Sequence, residues 1–240
     1  MLSIRSFSKS YDKKKYACKN VSLEVEAGDI YGFIGHNGAG KSTCIKAVVG
    51  ILNFDEGEIY IDGVNIKENP LLCKSNTAYI PDNPDIYENL TGIQYLNFIA
   101  DAFNVSSDLR KARIEKYATI FEMNTVLNDL ISSYSHGMKQ KIVLISALIH
   151  KPKLLVLDEP FVGLDPMAAY KLKEIMKEMC SEGSAIFFSS HVLDVVEKLC
   201  NKVAIIRKGE IIKAGLISEV RNEESLEDIF LELVENEQPR

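Results

Sequence analysis

The nine-residue run from Gly35 to Thr43, GHNGAGKST, matches G-x-x-x-x-G-K-[ST] at Gly35, Gly40, Lys41 and Ser42, and it restricts the fold more than any other part of the chain. Before it, Asp29 to Ile34 (DIYGFI) is a short apolar stretch suited to a buried strand; after it, Lys41 to Val49 has helical spacing and no proline. Strand, glycine loop and helix in that order predict a phosphate cradle. Glycines let the backbone wrap closely around an anion, consecutive N–H groups point inward, and the positive end of the helix dipole adds to the charge of Lys41. Gly35, Asn37, Gly38, Ala39, Gly40, Lys41, Ser42 and Thr43 are therefore the candidate nucleotide contacts, and the Ser42 hydroxyl is a candidate magnesium ligand. A glycine-rich turn that only caps a helix is the plainer alternative, and the flanking strand and helix count against it.

The rest of the chain predicts an α/β fold. Strand-like segments recur at Val21–Val25, Ile30–Ile34, Glu58–Ile61, Thr77–Ile80, Leu154–Leu157, Ala185–Ser189 and Lys202–Ile206, several alternating with helical patterns. That order implies a mainly parallel sheet covered by helices, with hairpin-like strands around Asp55–Gly63 and Lys202–Ala214, turned at Asp62-Gly63 and Lys208-Gly209. Between Gly92 and Leu130 the strands give way to helices. Tyr95, Phe98, Ile99, Ala102 and Phe103 share one helical face and are expected to pack in the core, and a charged helix follows from Asp108 to Phe121. The tail from Ser225 to Val234 spaces Leu226, Ile229, Phe230 and Leu233 as an amphipathic helix, which docks on its own domain or, alternatively, serves a partner.

Composition narrows the function. The 240 residues are 46% hydrophobic, enough for a sizeable core, so the chain reads as one domain: a core with an antiparallel β subdomain over 1–85 and 145–215, a helical insert over 86–144 and a tail over 216–240. A formal charge of −6 and no basic run longer than the Lys13–Lys15 patch argue against nucleic acid as a partner. Five cysteines, odd in number and without a C-x-x-C pair, suit a reducing compartment and serve as small apolar filler. Met1 to Ser10 does not read as a secretory leader, and no apolar run reaches the roughly 18–20 residues that span a bilayer. These features predict a cytoplasmic protein, or one that reaches a membrane through something else.

A second chemical motif lies at Leu154 to Pro160, LLVLDEP, an apolar strand that ends in two acids. A parallel strand delivers such charges to the carboxyl edge of the sheet, where Asp158 can hold magnesium and Glu159 can take a proton from an attacking water. Upstream, YSHGMKQK (Tyr134 to Lys141) opens a helix with apolar positions Met138, Ile142, Ile145 and Ile149, and Ser135 is its natural N-cap. With Tyr11, the Tyr79-Ile80-Pro81-Asp82 segment, Gly163-Leu164-Asp165-Pro166 and Ser189-Ser190-His191, the series over nearly the whole chain resembles the nucleotide-binding subunit of ATP-binding cassette (ABC) transporters.

The resemblance implies an ATPase that binds ATP and magnesium, and roles follow from it. Tyr11 would stack on adenine, Ser135, Gly137 and Met138 would stand in the family signature L-S-G-G-Q, Asp165 would sit in the dimer-contact loop, and His191 would reach the γ-phosphate. Two ATPase subunits, identical or different, would meet head to tail and power a permease on a separate integral-membrane chain. Peripheral attachment at the inner face of the cell membrane would follow. Two positions depart from the family pattern: Asp82 stands where a glutamine usually meets magnesium, and His136 and Met138 replace Gly and Gln in the signature. The form Y-S-x-G-M-K-Q resembles a branch serving bacterial exporters. The alternatives are a soluble ABC ATPase acting on nucleic acid or ribosomes, and a nucleotide-sensing regulator.

Overall fold

Buried strands that carry apolar residues on both faces account for the centre of the molecule. The computed structural model describes residues 1–12, 15–83, 86–221 and 224–235, with side chains described as far as Leu231; Lys13 and Lys14 of the basic patch, Pro84 and Asp85, and the Leu233 side chain lie outside the described residues. The strands are β1 (Leu2–Ser10), β2 (Tyr16–Val25), β3 (Ile30–Ile34), β4 (Glu56–Ile61), β5 (Val64–Asn65), β6 (Thr77–Ile80), β7 (Leu154–Asp158), β8 (Ala185–Ser190), β9 (Lys202–Arg207) and β10 (Glu210–Leu216). The helices are α1 (Lys41–Val48), α2 (Pro70–Ser75), α3 (Gly92–Ala102), α4 (Ser107–Ile120), α5 (His136–Ile149), α6 (Pro166–Ser181), α7 (Leu193–Leu199), α8 (Ile217–Arg221) and α9 (Leu226–Glu235).

Among the described residues, six strands form one sheet in the order β10-β9-β3-β8-β7-β6, parallel except for the β9–β10 hairpin, and four form an antiparallel sheet in the order β2-β1-β4-β5. Every residue of β3, β7 and β8 is buried. Alternation sends Leu155, Leu157, Ile186 and Phe188 to the core beneath α5 and α6, and Leu154, Val156, Ala185 and Phe187 to the core shared with α1 and the antiparallel sheet. Both faces of the parallel sheet are thus dry, and its carboxyl edge is left to carry the polar residues.

Three local expectations need correction. The first ten residues contain a strand, β1, that the apolar pattern hides: Leu2 and Ile4 are buried in one phase and Phe7 in the other, because Ser6 adopts φ +50° at a bulge between them. The bulge inserts one residue and breaks the two-residue period on which strand recognition depends. The partner strand begins at Tyr16, not Val21, and it too carries an irregularity, with Asn20 at φ +51°. On α3 the buried face is Gly92, Tyr95, Leu96 and Ala100; Phe98 is 48% exposed and Ala102 is exposed, so the expected aromatic core stripe is only partly buried. Phe98 instead meets Tyr87 edge to face, with ring centroids 5.5 Å apart.

The tail helix α9 packs against its own chain, with Leu226 and Ile229 buried and the Leu226 N–H bonded to Glu197 Oε2 on α7 at 3.0 Å. Phe230 reaches the His36 ring at 5.3 Å. All five cysteines are buried and unpaired, and burial pushes the Cys18 thiol up to about 12, as suits apolar filler.

At the end of α5, His150 stacks on Phe103 with ring centroids 3.7 Å apart. Burial pushes its imidazolium down to about 4, and the Arg113 guanidinium adds to the effect. Because the folded value lies below the ordinary 6.5, the unfolded chain binds the extra proton first; the contribution of His150 is complete above pH 6.5 and is lost as the pH falls toward 4. Urea midpoints measured from pH 7.5 to 4 are expected to fall across this window, and His150→Phe should flatten that part of the curve. An unchanged slope in the variant would assign the acid sensitivity to other groups.

Candidate functional site

The carboxyl edge of the parallel sheet gathers three separate stretches of chain. In the register of the sheet Ile34 pairs with Ser190 and Asp158 with Ser189, so the loops after β3, β7 and β8 emerge side by side. The loop after β3 is the glycine run. Gly40 takes φ +113°, and a Cβ there would lie 2.4 Å from the Ala17 carbonyl oxygen, so only glycine fits where the loop crosses β2. Helix α1 then starts at Lys41 with its free N–H groups facing the loop, which provides an anion site from backbone alone.

Lys41 is buried, and its Nζ donates to the carbonyl oxygens of Gly35 at 2.6 Å and His36 at 3.3 Å, with Glu159 Oε1 3.9 Å away. Burial lowers its pKa, with Glu159 and Asp158 opposing the shift. The ammonium is thus held inside the loop by carbonyl groups, within reach of any anion that enters. A cavity of about 230 Å³ lies over it, lined by Ala17, His36, Asn37, Gly38, Gly40, Lys41, Ser42, Thr43, Asp82, Asp158 and Glu159. Gly35 and Ala39, which are buried, shape the loop from beneath.

Asp158, buried at the end of β7, accepts the Ser189 hydroxyl at 2.5 Å. The same Ser189 Oγ accepts the Glu159 backbone N–H at 3.1 Å, so one side chain from β8 holds both acids in place. Glu159 has φ +51°, a left-handed conformation that costs a non-glycine residue roughly 1 kcal/mol and turns its side chain away from the strand direction. Its Oε2 lies 2.9 Å from His191 Nδ1 and accepts the His191 backbone N–H at 3.3 Å. The carboxylate therefore stands between an ammonium and an imidazole. A base in that position can take a proton from water, and the imidazole can orient it.

The oxygen donors suit a hard cation. Ser42, Asp158 and Asp82 line one cavity, and magnesium binds through one or two carboxylates together with substrate phosphates. Tyr11 is exposed and outside the cavity lining; its hydroxyl is 3.3 Å from Thr43 Oγ1, and the Lys9 ammonium lies over its ring.

Ser135, Gly137, Met138 and Asp165 are also outside that lining. Ser135 caps α5 by accepting the Met138 N–H at 3.3 Å, and Asp165 caps α6 by accepting the Ala168 N–H at 2.8 Å while pairing with Lys141 at 2.7 Å. The Lys141 contact holds the Asp165 carboxyl below its usual range. Nothing in the sequence by itself marks Ala17, His36 or Ser189 as part of the site. His36 fills a variable position of the glycine motif, and the bond from Ser189 to Asp158 crosses between strands, so it depends on strand order.

A larger cavity of about 390 Å³ lies elsewhere, between the sheet and the helical region; Ile51, Tyr79, Ile86, Tyr95, Phe103 and His150 are among the residues that line it. No helix among the described residues is long and apolar enough to cross a membrane.

Residues 18–162 match a family model described as ABC transporter. The chain is 34% identical to the ABC-type transporter ATP-binding protein EcsA of Bacillus subtilis (strain 168), over 99% of this chain and 98% of that protein. It is 32% identical to the bacitracin transport ATP-binding protein BcrA of Enterococcus faecalis, over 92% of this chain and 70% of that one. A solved structure described as the ATP binding subunit of an ABC transporter superposes with a TM-score of 0.94 at 32% identity, covering 98% of this chain and 99% of that chain.

Proposed function

This chain belongs to the ABC transporter family as an ATP-binding subunit with ATPase activity, and we propose that it powers export by a separate membrane permease through ATP-driven closure of a dimer. The observation that carries the reading is the half-built cavity: phosphate loop, Asp158 and Glu159 line it, and the signature residues of the same chain do not. Two copies, or one copy and a related subunit, meeting head to tail would bring Ser135, Gly137 and Met138 of one onto the phosphates held by the other, with Asp165 at the contact. Each nucleotide would then bridge two chains and favour the closed form by mass action.

ATP enters with its phosphates on the loop N–H groups, and the Lys41 ammonium turns from the Gly35 and His36 carbonyls to the phosphate oxygens. Tyr11, whose hydroxyl lies 3.3 Å from Thr43 Oγ1, would stack on the adenine. Ser42 and Asp158 would hold magnesium, with Asp82 nearby, and the ion would neutralise charge developing on the phosphate oxygens. Glu159 takes the proton of the attacking water while His191 holds its carboxylate. Loss of the bridging phosphate lets the dimer reopen.

The permease would dock at the apolar cavity beside α3. Tyr87 and Phe98, each next in sequence to a lining residue (Ile86 and Ile99), stand exposed as an aromatic pair with no core to fill. Glu88, next to Tyr87, pairs with Lys139 on the signature helix α5, so motion at the docking surface reaches the helix that completes the second site. Likeness to a protein named for linearmycin resistance, beside the one named for bacitracin transport, supports export as the direction. The subunit would thereby sit at the cytoplasmic face of the membrane.

The test is to isolate the chain from membranes in mild detergent and assay magnesium-dependent ATP hydrolysis of what co-isolates. An integral-membrane partner is expected, and Phe98→Glu should release the subunit from it. Full retention of that variant would exclude this docking surface, and co-isolation with ribosomes or nucleic acid alone would overturn the transport role.

A further inference from the structure

Gln140 is 1% exposed, and its Oε1 has no hydrogen-bond partner among the described residues. A buried amide oxygen without a donor is unfavourable where a hydrocarbon side chain of the same length would fit, so its position calls for a use. The atom faces Gly163, in the loop that runs from Glu159 to α6. A Cβ on Gly163 would lie 2.6 Å from Gln140 Oε1 and 3.0 Å from His136 Cδ2, and the residue takes φ +80°. From the other side, the Gly163 carbonyl oxygen would be 3.3 Å from a Cβ on Gly137. One turn further along α5, Lys141 holds Asp165 at 2.7 Å. His136, Gly137, Gln140 and Lys141 of the first turns of α5 therefore grip residues 163 and 165 of a loop that begins at the catalytic carboxylate.

We propose that Gln140 is a positioning residue that carries engagement of the signature by the second subunit's nucleotide to the Glu159 loop of its own chain. When closure presses the start of α5 toward the loop, Oε1 accepts a backbone N–H from Gly163 or Leu164, and the loop is fixed with Glu159 in place. The orphan oxygen is the open half of that contact. His136, a departure from the usual signature glycine, adds a ring to the same grip. The proposal rests on the head-to-tail dimer above and adds to it a link within each chain between the two half-sites.

Gln140→Met keeps the length of the side chain and removes the acceptor. It is expected to lower kcat roughly tenfold, the loss of about one hydrogen bond made only in the closed state, while KM for ATP stays within about twofold. Its melting temperature should hold or rise, since an unpaired buried acceptor has gone. In a Glu159→Gln background the same change should lower the fraction of ATP-bound dimer seen by gel filtration. Unchanged kcat with a raised melting temperature would reduce Gln140 to packing and overturn the proposal. If Gln140→Met does not fold, Lys141→Met, at a partly exposed pair, serves instead: a lower kcat at constant KM supports the link, and wild-type kcat overturns it. A parent Glu159→Gln protein that binds ATP and never dimerises would overturn the dimer itself, and the link with it.

Discussion

Glu159→Gln is expected to lower ATP hydrolysis by about 10²–10⁴-fold, the range of a positioned general base, while ATP still binds. Glutamine has the same shape, so its side-chain oxygen can still accept the His191 N–H that Glu159 Oε2 accepts at 3.3 Å, and the Ser189 bond to the backbone N–H at 159 is untouched. What disappears is the proton acceptor and one negative charge at the edge of the phosphate cavity. Removing that charge relieves repulsion toward the polyphosphate, so affinity should hold or increase and closed dimer should accumulate. Phosphate release and gel filtration with ATP measure the two effects separately. Turnover at the wild-type rate would take the catalytic role away from Glu159, whatever the dimer does.

Lys41→Ala is expected to weaken ATP binding by roughly 10–100-fold, the worth of one or two charge-assisted hydrogen bonds. Its Nζ lies within a few ångströms of both the Glu159 carboxylate and the loop carbonyls, so loss of the ammonium leaves the phosphates facing Asp158 and Glu159 with only backbone N–H groups to hold them. A second effect is built into the geometry. The Gly35 and His36 carbonyls lose their shared donor, and removal of such a partner costs about 1–3 kcal/mol when the acceptors stay buried. Calorimetric titration must therefore be paired with a melting curve, because a fall in affinity speaks to the cradle only in protein that remains folded. Normal affinity in folded Lys41→Ala would contradict the phosphate-loop role.

The parts of the site visible in the sequence are those made by neighbouring residues. The glycine loop, the start of α1 at Lys41 and the Ser135 cap of α5 each form within a few consecutive residues, where backbone geometry and side-chain type act locally. LLVLDEP was visible for a related reason: a strand buried on both faces must be apolar until it reaches the sheet edge, and there it ends in Asp158 and Glu159. Family likeness then supplied the order of the remaining motifs. It did not supply β1, whose alternation is thrown out of phase at Ser6, nor the outward turn of Phe98, which depends on which face of α3 packs on the rest of the protein.

By itself the sequence determined a nucleotide-binding α/β chain with its phosphate loop, its paired acids and a capped signature helix, because each is encoded over a short span. Tertiary structure alone decided how they act together. The strand order β3-β8-β7 brings Ser189 to within hydrogen-bond distance of Asp158 and Glu159, and His191 to Glu159, across about thirty residues of chain. The packing of α5 on the loop after β7 likewise buries Gln140 against Gly163. Contacts of this kind depend on sheet register and helix packing, which are set by burial summed over the whole core and leave no mark in the residues between.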